Sequence, residues 1–274
     1  MIRLTSGARI ARALAVLLCL AISPLALGQD QEEEEHERSK RDAVERVVES
    51  HDKTLLLGGG KLMLKQAAVC SARKLLREWG KEAGLAGEWW DDAPEYRAAK
   101  AELLALADAI MARRYDSGVW LSEVWYQYTA KELEGEEADS IAEVFKTEGG
   151  RKVRMQMDWY LGEMILFNYT FTDRFEYELA DAERELKALQ IEAQKRLPRE
   201  DIEFTSRYPE AFQFLACPPQ SRYCPGPKYW KMLIYPMLGG VIRYVDGVSA
   251  DIEAQMRAQR PDVQRHIDAF KARR

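Results

Sequence analysis

The sequence predicts an all-α protein, an irregular bundle of about eight to ten helices. Three observations lead there. Apolar residues recur at three- and four-residue steps along most of the chain. No stretch alternates apolar and polar residues as a half-buried strand would. Glycines, prolines and acidic caps cut the periodic stretches into pieces of helical length. Of 274 residues, 47% are hydrophobic and 31% charged, which gives a core-forming chain and not a disordered one.

Residues 1–28 have the three parts of a secretory signal. Arg3, Arg9 and Arg12 form the positive end, Ala13–Ile22 the apolar run, and Ala26-Leu27-Gly28 the small residues of a cleavage site. Cleavage is expected near Gly28, leaving a periplasmic or secreted protein. Cys19 is preceded by Leu18, whereas a lipoprotein signal needs a small residue there. The apolar run is too short to span a membrane comfortably. Residues 29–42 (QDQEEEEHERSKRD) read as a charged, flexible leader. Residues 43–274 are expected to form one all-α domain.

Val44, Val47, Val48 and Leu55 start a helical face, which Gly58-Gly59-Gly60 should stop. A second helix is expected from Lys61 to about Glu82, with Leu62, Val69, Ala72, Leu76 and Trp79 on one side. The triple glycine before Lys61 lacks the spacing and hydroxyl residue of a phosphate-binding loop. Gly80, Gly84 and Gly87 lead into a loop carrying Trp89-Trp90-Asp91-Asp92. A third helix follows over 95–113, and Asp116-Ser117-Gly118 separates it from a fourth holding Trp120, Leu121, Val124, Trp125 and Tyr128. Residues 136–146 form a short helix. Residues 151–167 form one apolar nearly all round, as expected at the centre of a bundle.

Asp173 and Glu176 give a capping-box-like start to a long amphipathic helix over 173–197, which Pro198 ends. Residues 199–228 form a Pro- and aromatic-rich arm. Residues 229–248 read as a buried helix kinked at Pro236. Two short amphipathic helices, 249–260 and 261–271, complete the chain, with Pro261 in a first turn.

The charge balance, 40 Lys and Arg against 45 Asp and Glu, argues against general nucleic-acid binding. The signal segment 1–28 carries three of those cations and no carboxylate, so its removal takes the net charge from −5 to −8. The three histidines, His36, His51 and His266, are far apart, and neither they nor the cysteines show metal-ligand spacing. No metal or cofactor is expected. In an oxidising compartment Cys217 and Cys224 are expected to form a disulfide closing a proline-stiffened loop, with a long-range bridge from Cys70 as the rival. The bland reading of Cys70 is a buried, inert thiol.

The stretch Leu133-Glu134-Gly135-Glu136-Glu137-Ala138 to Thr147-Glu148-Gly149-Gly150-Arg151-Lys152 resembles a motif in an uncharacterised family of exported bacterial helical proteins. It covers residues 133–152 and departs at Glu134, where the family usually has Thr or Ser. The resemblance implies envelope location and a helical fold, and no chemistry. Local physics explains the same residues. Leu133 staples the helix entry, Glu136 and Glu137 suit the positive first turn, and Gly149 or Gly150 is expected as a left-handed C-cap.

Asp158 and Glu163 are carboxyls on the most apolar helix. Glu163 is the single weak candidate for a catalytic acid, because burial against aromatics raises a carboxyl pKa. The rival reading pairs such a carboxylate with an arginine, as Asp158 could pair with Arg154. No Gly-x-Ser-x-Gly motif is present. Most of the seven tryptophans sit at core-facing steps, but Trp89, Trp90, Asp91 and Asp92 lie in a loop where aromatics can anchor a partner. The functional expectation is an exported, non-enzymatic helical protein that binds a protein partner in the cell envelope, as an immunity protein, inhibitor or adaptor does. It should bind no nucleic acid and not insert stably in a membrane once the signal is removed. The alternatives are a cell-wall glycan-cleaving enzyme using Glu163, and a binder of small apolar ligands between helices lined by Met155, Met157, Met164 and Trp159.

Overall fold

The computed structural model describes residues 33–85, 87–170 and 225–274, with two isolated positions, 188 and 191. For Glu163, residues 166–170 and Pro225 it describes the backbone alone. Among the described residues every regular element is helical and there are no strands. The elements are α1 (33–50), α2 (Thr54–Glu82), α3 (Pro94–Arg114), α4 (Val119–Glu132), α5 (Gly135–Lys146) and α6 (Glu148–Thr170). After the undescribed stretch come α7 (Pro225–Met232), a π turn (Leu233–Met237), α8 (Leu238–Ala258) and α9 (Arg260–Arg273). They pack as a bundle in which α2 lies against α3, α6 and α8, while α5 rests on α6, and α9 on α3. The core runs through all of them, from Val44 and Val47 on α1 to Ile267 and Phe270 on α9.

The first break falls elsewhere than the glycines suggest. Helix α2 runs unbroken through Gly58-Gly59-Gly60, and the chain bends instead at His51-Asp52-Lys53. Interior glycines cost a helix about 1 kcal/mol each relative to alanine, so packing has to compensate. At Gly60 the reason is visible. A Cβ there would stand 2.2 Å from the Tyr115 hydroxyl, which donates a 2.8 Å hydrogen bond to the Leu57 carbonyl. The glycine lets the end of α3 dock against the α2 backbone. The charged leader is likewise more ordered than its composition suggests, because residues 33–42 belong to α1, exposed except at Lys40.

The junction between α5 and α6 corrects a second expectation. Gly149 and Gly150 are not a left-handed C-cap; both lie in the first turn of α6, and neither has positive φ. The N-cap of α6 is Thr147, whose Oγ1 accepts the Gly150 N–H at 3.0 Å. Gly150 is required by contact, since a Cβ would sit 1.8 Å from the Val144 carbonyl oxygen. The break expected at Asp116-Ser117-Gly118 is present before α4, and Gly118 takes a left-handed φ of 66° there.

At the start of α5 the entry is as predicted. Leu133 is fully buried, and the Glu134 N–H donates to Glu137 Oε2 at 3.0 Å within a capping box. Glu134 is the N-cap residue of α5. Pro236 does distort its helix: residues 233–237 form a π turn, which absorbs the missing N–H without ending the rod. The predicted break near Ser249 is absent, and α8 continues to Ala258. Pro261 sits in the first turn of α9. The helix expected over 173–197, save for the isolated positions 188 and 191, and residues 199–224 of the arm lie outside the described residues; Pro225 to Lys228 open α7. No described helix is long and apolar enough to cross a membrane.

Candidate functional site

The bend at 51–53 turns His51 into the interior, where α1, α2, α4, α5, α6 and α7 meet. His51 continues the buried side of α1, three residues beyond Val48 and four beyond Val47. Its side chain is 0% exposed and that of Asp158, on α6, is 6% exposed. His51 Nδ1 is hydrogen-bonded to Asp158 Oδ1, and Nε2 lies 2.7 Å from the Tyr229 hydroxyl on α7. The second carboxylate oxygen of Asp158 accepts the Asp52 N–H at 2.8 Å, and Arg154 Nε stands 4.0 Å away. Trp125 and Phe145 wall the imidazole edge-on, at centroid distances of 5.2 and 5.6 Å.

Burial, reinforced by the Asp158 charge, pushes the Tyr229 hydroxyl well above its ordinary pKa, so it stays protonated and donates. The arrangement that satisfies every buried group then has Nε2 accepting from Tyr229 and Nδ1–H donating to Asp158. An aspartate orienting an imidazole is the arrangement of a general base. Here, however, the nitrogen that would take a substrate proton is held by Tyr229, behind two aromatic side chains. What the trio does is join three separate parts of the chain through a satisfied buried network.

Two polar contacts flank this hub. Lys53 donates to Ser122 Oγ at 2.7 Å, with its ammonium 6.0 Å from the Trp125 ring centre. Burial lowers the Lys53 pKa, against the opposing pull of Glu49 and Asp158. On α5, Glu137 is buried and accepts from Lys228 of α7 at 2.8 Å. Burial alone would raise its pKa, but the Lys228 hydrogen bond and charge, with the Glu134 N–H, hold the carboxyl below the ordinary value.

The loop between α2 and α3 divides its tryptophan pair. Trp89 is 3% exposed and packs edge-on to Tyr96 and Phe270, both at 5.5 Å. Trp90 is 45% exposed, with the Arg77 guanidinium 4.4 Å above its ring. Asp91 lies between Arg73, at 3.6 Å, and Lys100, at 3.5 Å, whereas Asp92 is exposed. Of the four residues predicted to bind a partner, Trp89 is therefore an internal anchor. Trp90 and Asp92 face outward, and Asp91 braces the loop against α2 and α3.

Glu163 lies on α6, but its side chain is outside the described residues, as are Cys217 and Cys224. Cys70 is half-buried on α2. Among the described residues no group of three or more His, Cys, Asp or Glu side chains is placed to hold a metal ion. Sequence reasoning missed the hub because its members are 107 and 178 residues apart. The legible signal was local: His51 falls in register with the valine face of α1.

Fold and site together define an all-α bundle pinned by a sealed polar hub. No family model matches the chain, and comparison with curated proteins and with solved structures gives no significant match either.

Proposed function

We propose that this chain is an exported, non-enzymatic protein that binds another protein of the cell envelope through the corner carrying Trp90. The observation that carries the reading is the division of the tryptophan pair. Trp89 is locked into the core as a foundation, which holds the neighbouring Trp90 outward at 45% exposure on a loop braced by Asp91. Tryptophan and arginine are the residues most often found at energetic centres of interfaces, and Arg77 already lies on the exposed ring. The burial of His51, Asp158 and Tyr229 points the same way, since the trio that most resembles catalytic machinery is committed to holding helices together.

The test is affinity capture from the envelope and secreted proteins of the source cell, comparing wild type with Trp90→Ala. One stoichiometric partner kept by wild type and lost by the variant supports the proposal. Capture that is identical for both, or empty for both across a range of salt, overturns it.

A further inference from the structure

A second exposed surface lies on the rod formed by α7, the π turn and α8. Across residues 225–245 there are three cations, Lys228, Lys231 and Arg243, and no carboxylate, in a chain whose net charge is −5; the exposed Asp246 closes the stretch, one turn beyond Arg243. Lys228 is committed to Glu137. The other two line up with Tyr235 at four-residue steps, 231, 235, 239 and 243, which places them along one side of the rod. That side is the outward one: Lys231, Tyr235 and Arg243 are exposed, and Ile234, Pro236, Gly239 and Ile242 are half-exposed around them. Tyr235, on the π turn, is 75% exposed, the most of any large hydrophobic side chain described. At Gly239 a Cβ would lie 3.5 Å from Arg243 Nη1, so the guanidinium folds back along this side towards Tyr235. It also donates to the Tyr128 hydroxyl, with its carbon 5.7 Å from that ring's centre.

We infer that this face is a docking surface for an anionic phospholipid bilayer. A strip of Lys, Arg, Tyr and half-exposed aliphatic residues matches the two layers it would meet. The cations suit the headgroup phosphates, and the tyrosine and isoleucines suit the depth just beneath. The proposed contact is with the bilayer surface, and no described helix is long and apolar enough to cross a membrane. It is independent of the Trp90 reading, whose residues lie on α2 and the loop before α3.

The experiment is co-sedimentation of the protein, purified as residues 29–274, with vesicles. One set is phosphatidylcholine alone and the other an equal mixture with phosphatidylglycerol. Binding is expected to the mixed vesicles only, and to weaken with added salt. The double variant Lys231→Gln/Arg243→Gln should bind about thirtyfold more weakly, from the typical attraction of each basic residue to an anionic surface. Tyr235→Ala should lose several-fold with its charge intact. Absence of binding to the mixed vesicles, equal binding to both kinds, or binding indifferent to these variants overturns the inference. So does equal competition by soluble polyglutamate, which would assign the face to an acidic protein.

Discussion

Replacing His51 by alanine is the perturbation that bears hardest on the hub. The imidazole is fully enclosed, so its loss strips Asp158 Oδ1 of its hydrogen-bond donor and leaves the Tyr229 hydroxyl without its acceptor. It also opens a void between Trp125 and Phe145. Asp158 keeps the Asp52 N–H and the more distant Arg154. Leaving a buried carboxylate short of its hydrogen-bond donor costs about 3 kcal/mol, the upper end of the range for an unsatisfied buried group. Orphaning a hydroxyl costs about 1–3 kcal/mol, and the two costs overlap because one network is involved. A net loss of about 4 kcal/mol is expected, a large share of the roughly 5–15 kcal/mol by which a domain is stable. In thermal unfolding followed by circular dichroism this lowers Tm by about 8–16 °C for a chain of this size. His266→Ala is the internal control. Its Nε2 meets Glu102 at 3.1 Å, but the Glu102 side chain is 52% exposed, so the loss should stay under about 1 kcal/mol. If His51→Ala and His266→Ala lower Tm equally, or if the double variant His51→Ala/Tyr229→Phe loses the full sum of the single variants, the hub does not work as a unit.

Four further outcomes are expected. Gly60→Ala should destabilise by about 1–3 kcal/mol through its clash with Tyr115, whereas Gly247→Ala, with nothing near the new methyl, should stabilise α8 by up to about 1 kcal/mol; urea titration separates them. Glu137→Gln should cost about 1–3 kcal/mol near neutral pH. Because the folded carboxyl lies below its unfolded value, that contribution is present above the unfolded pKa and lost as pH falls through the folded one, so wild type and variant should converge in acid. Tyr96, pushed up to about 12 by burial and then by Asp91, and Tyr229 both have raised folded pKa values. Their contribution is whole below pH about 10 and lost as pH rises above it, so Tyr229→Phe should flatten the alkaline fall in stability measured by circular dichroism. Trp89→Ala should cost about 3–5 kcal/mol and Trp90→Ala less than about 0.5 kcal/mol by the same unfolding assay.

Much of the fold was legible because helix periodicity and caps are local. The start of α5, the helix break at 116–118 and the distortion at Pro236 each follow from a few neighbouring residues, and each is present. The misread glycines share one cause. Gly60 and Gly150 look like punctuation in a sequence, but each is required by an atom outside its own turn: the Tyr115 hydroxyl for one and the Val144 carbonyl for the other. Helix propensity cannot register such contacts, and tertiary packing overrides it. The candidate sites divide along the same line. Trp90 was visible as an aromatic in a glycine-bounded loop, whereas the burial of Trp89 depends on Phe270 at the far end of the chain. Likewise Asp158 was recognisable as a carboxylate on an apolar helix, but its principal partner turned out to be His51 and not the nearby Arg154.

The most direct measurement of the binding account is photo-crosslinking in the source cell with a benzophenone amino acid placed at position 90, and at exposed Asp108 on α3 as a control. The account predicts a crosslink from position 90 to one envelope protein, absent from the control position and suppressed by charge reversal at Arg77. Crosslinks that are diffuse, equal at both positions, or missing at position 90 while another face yields a single defined partner would contradict it.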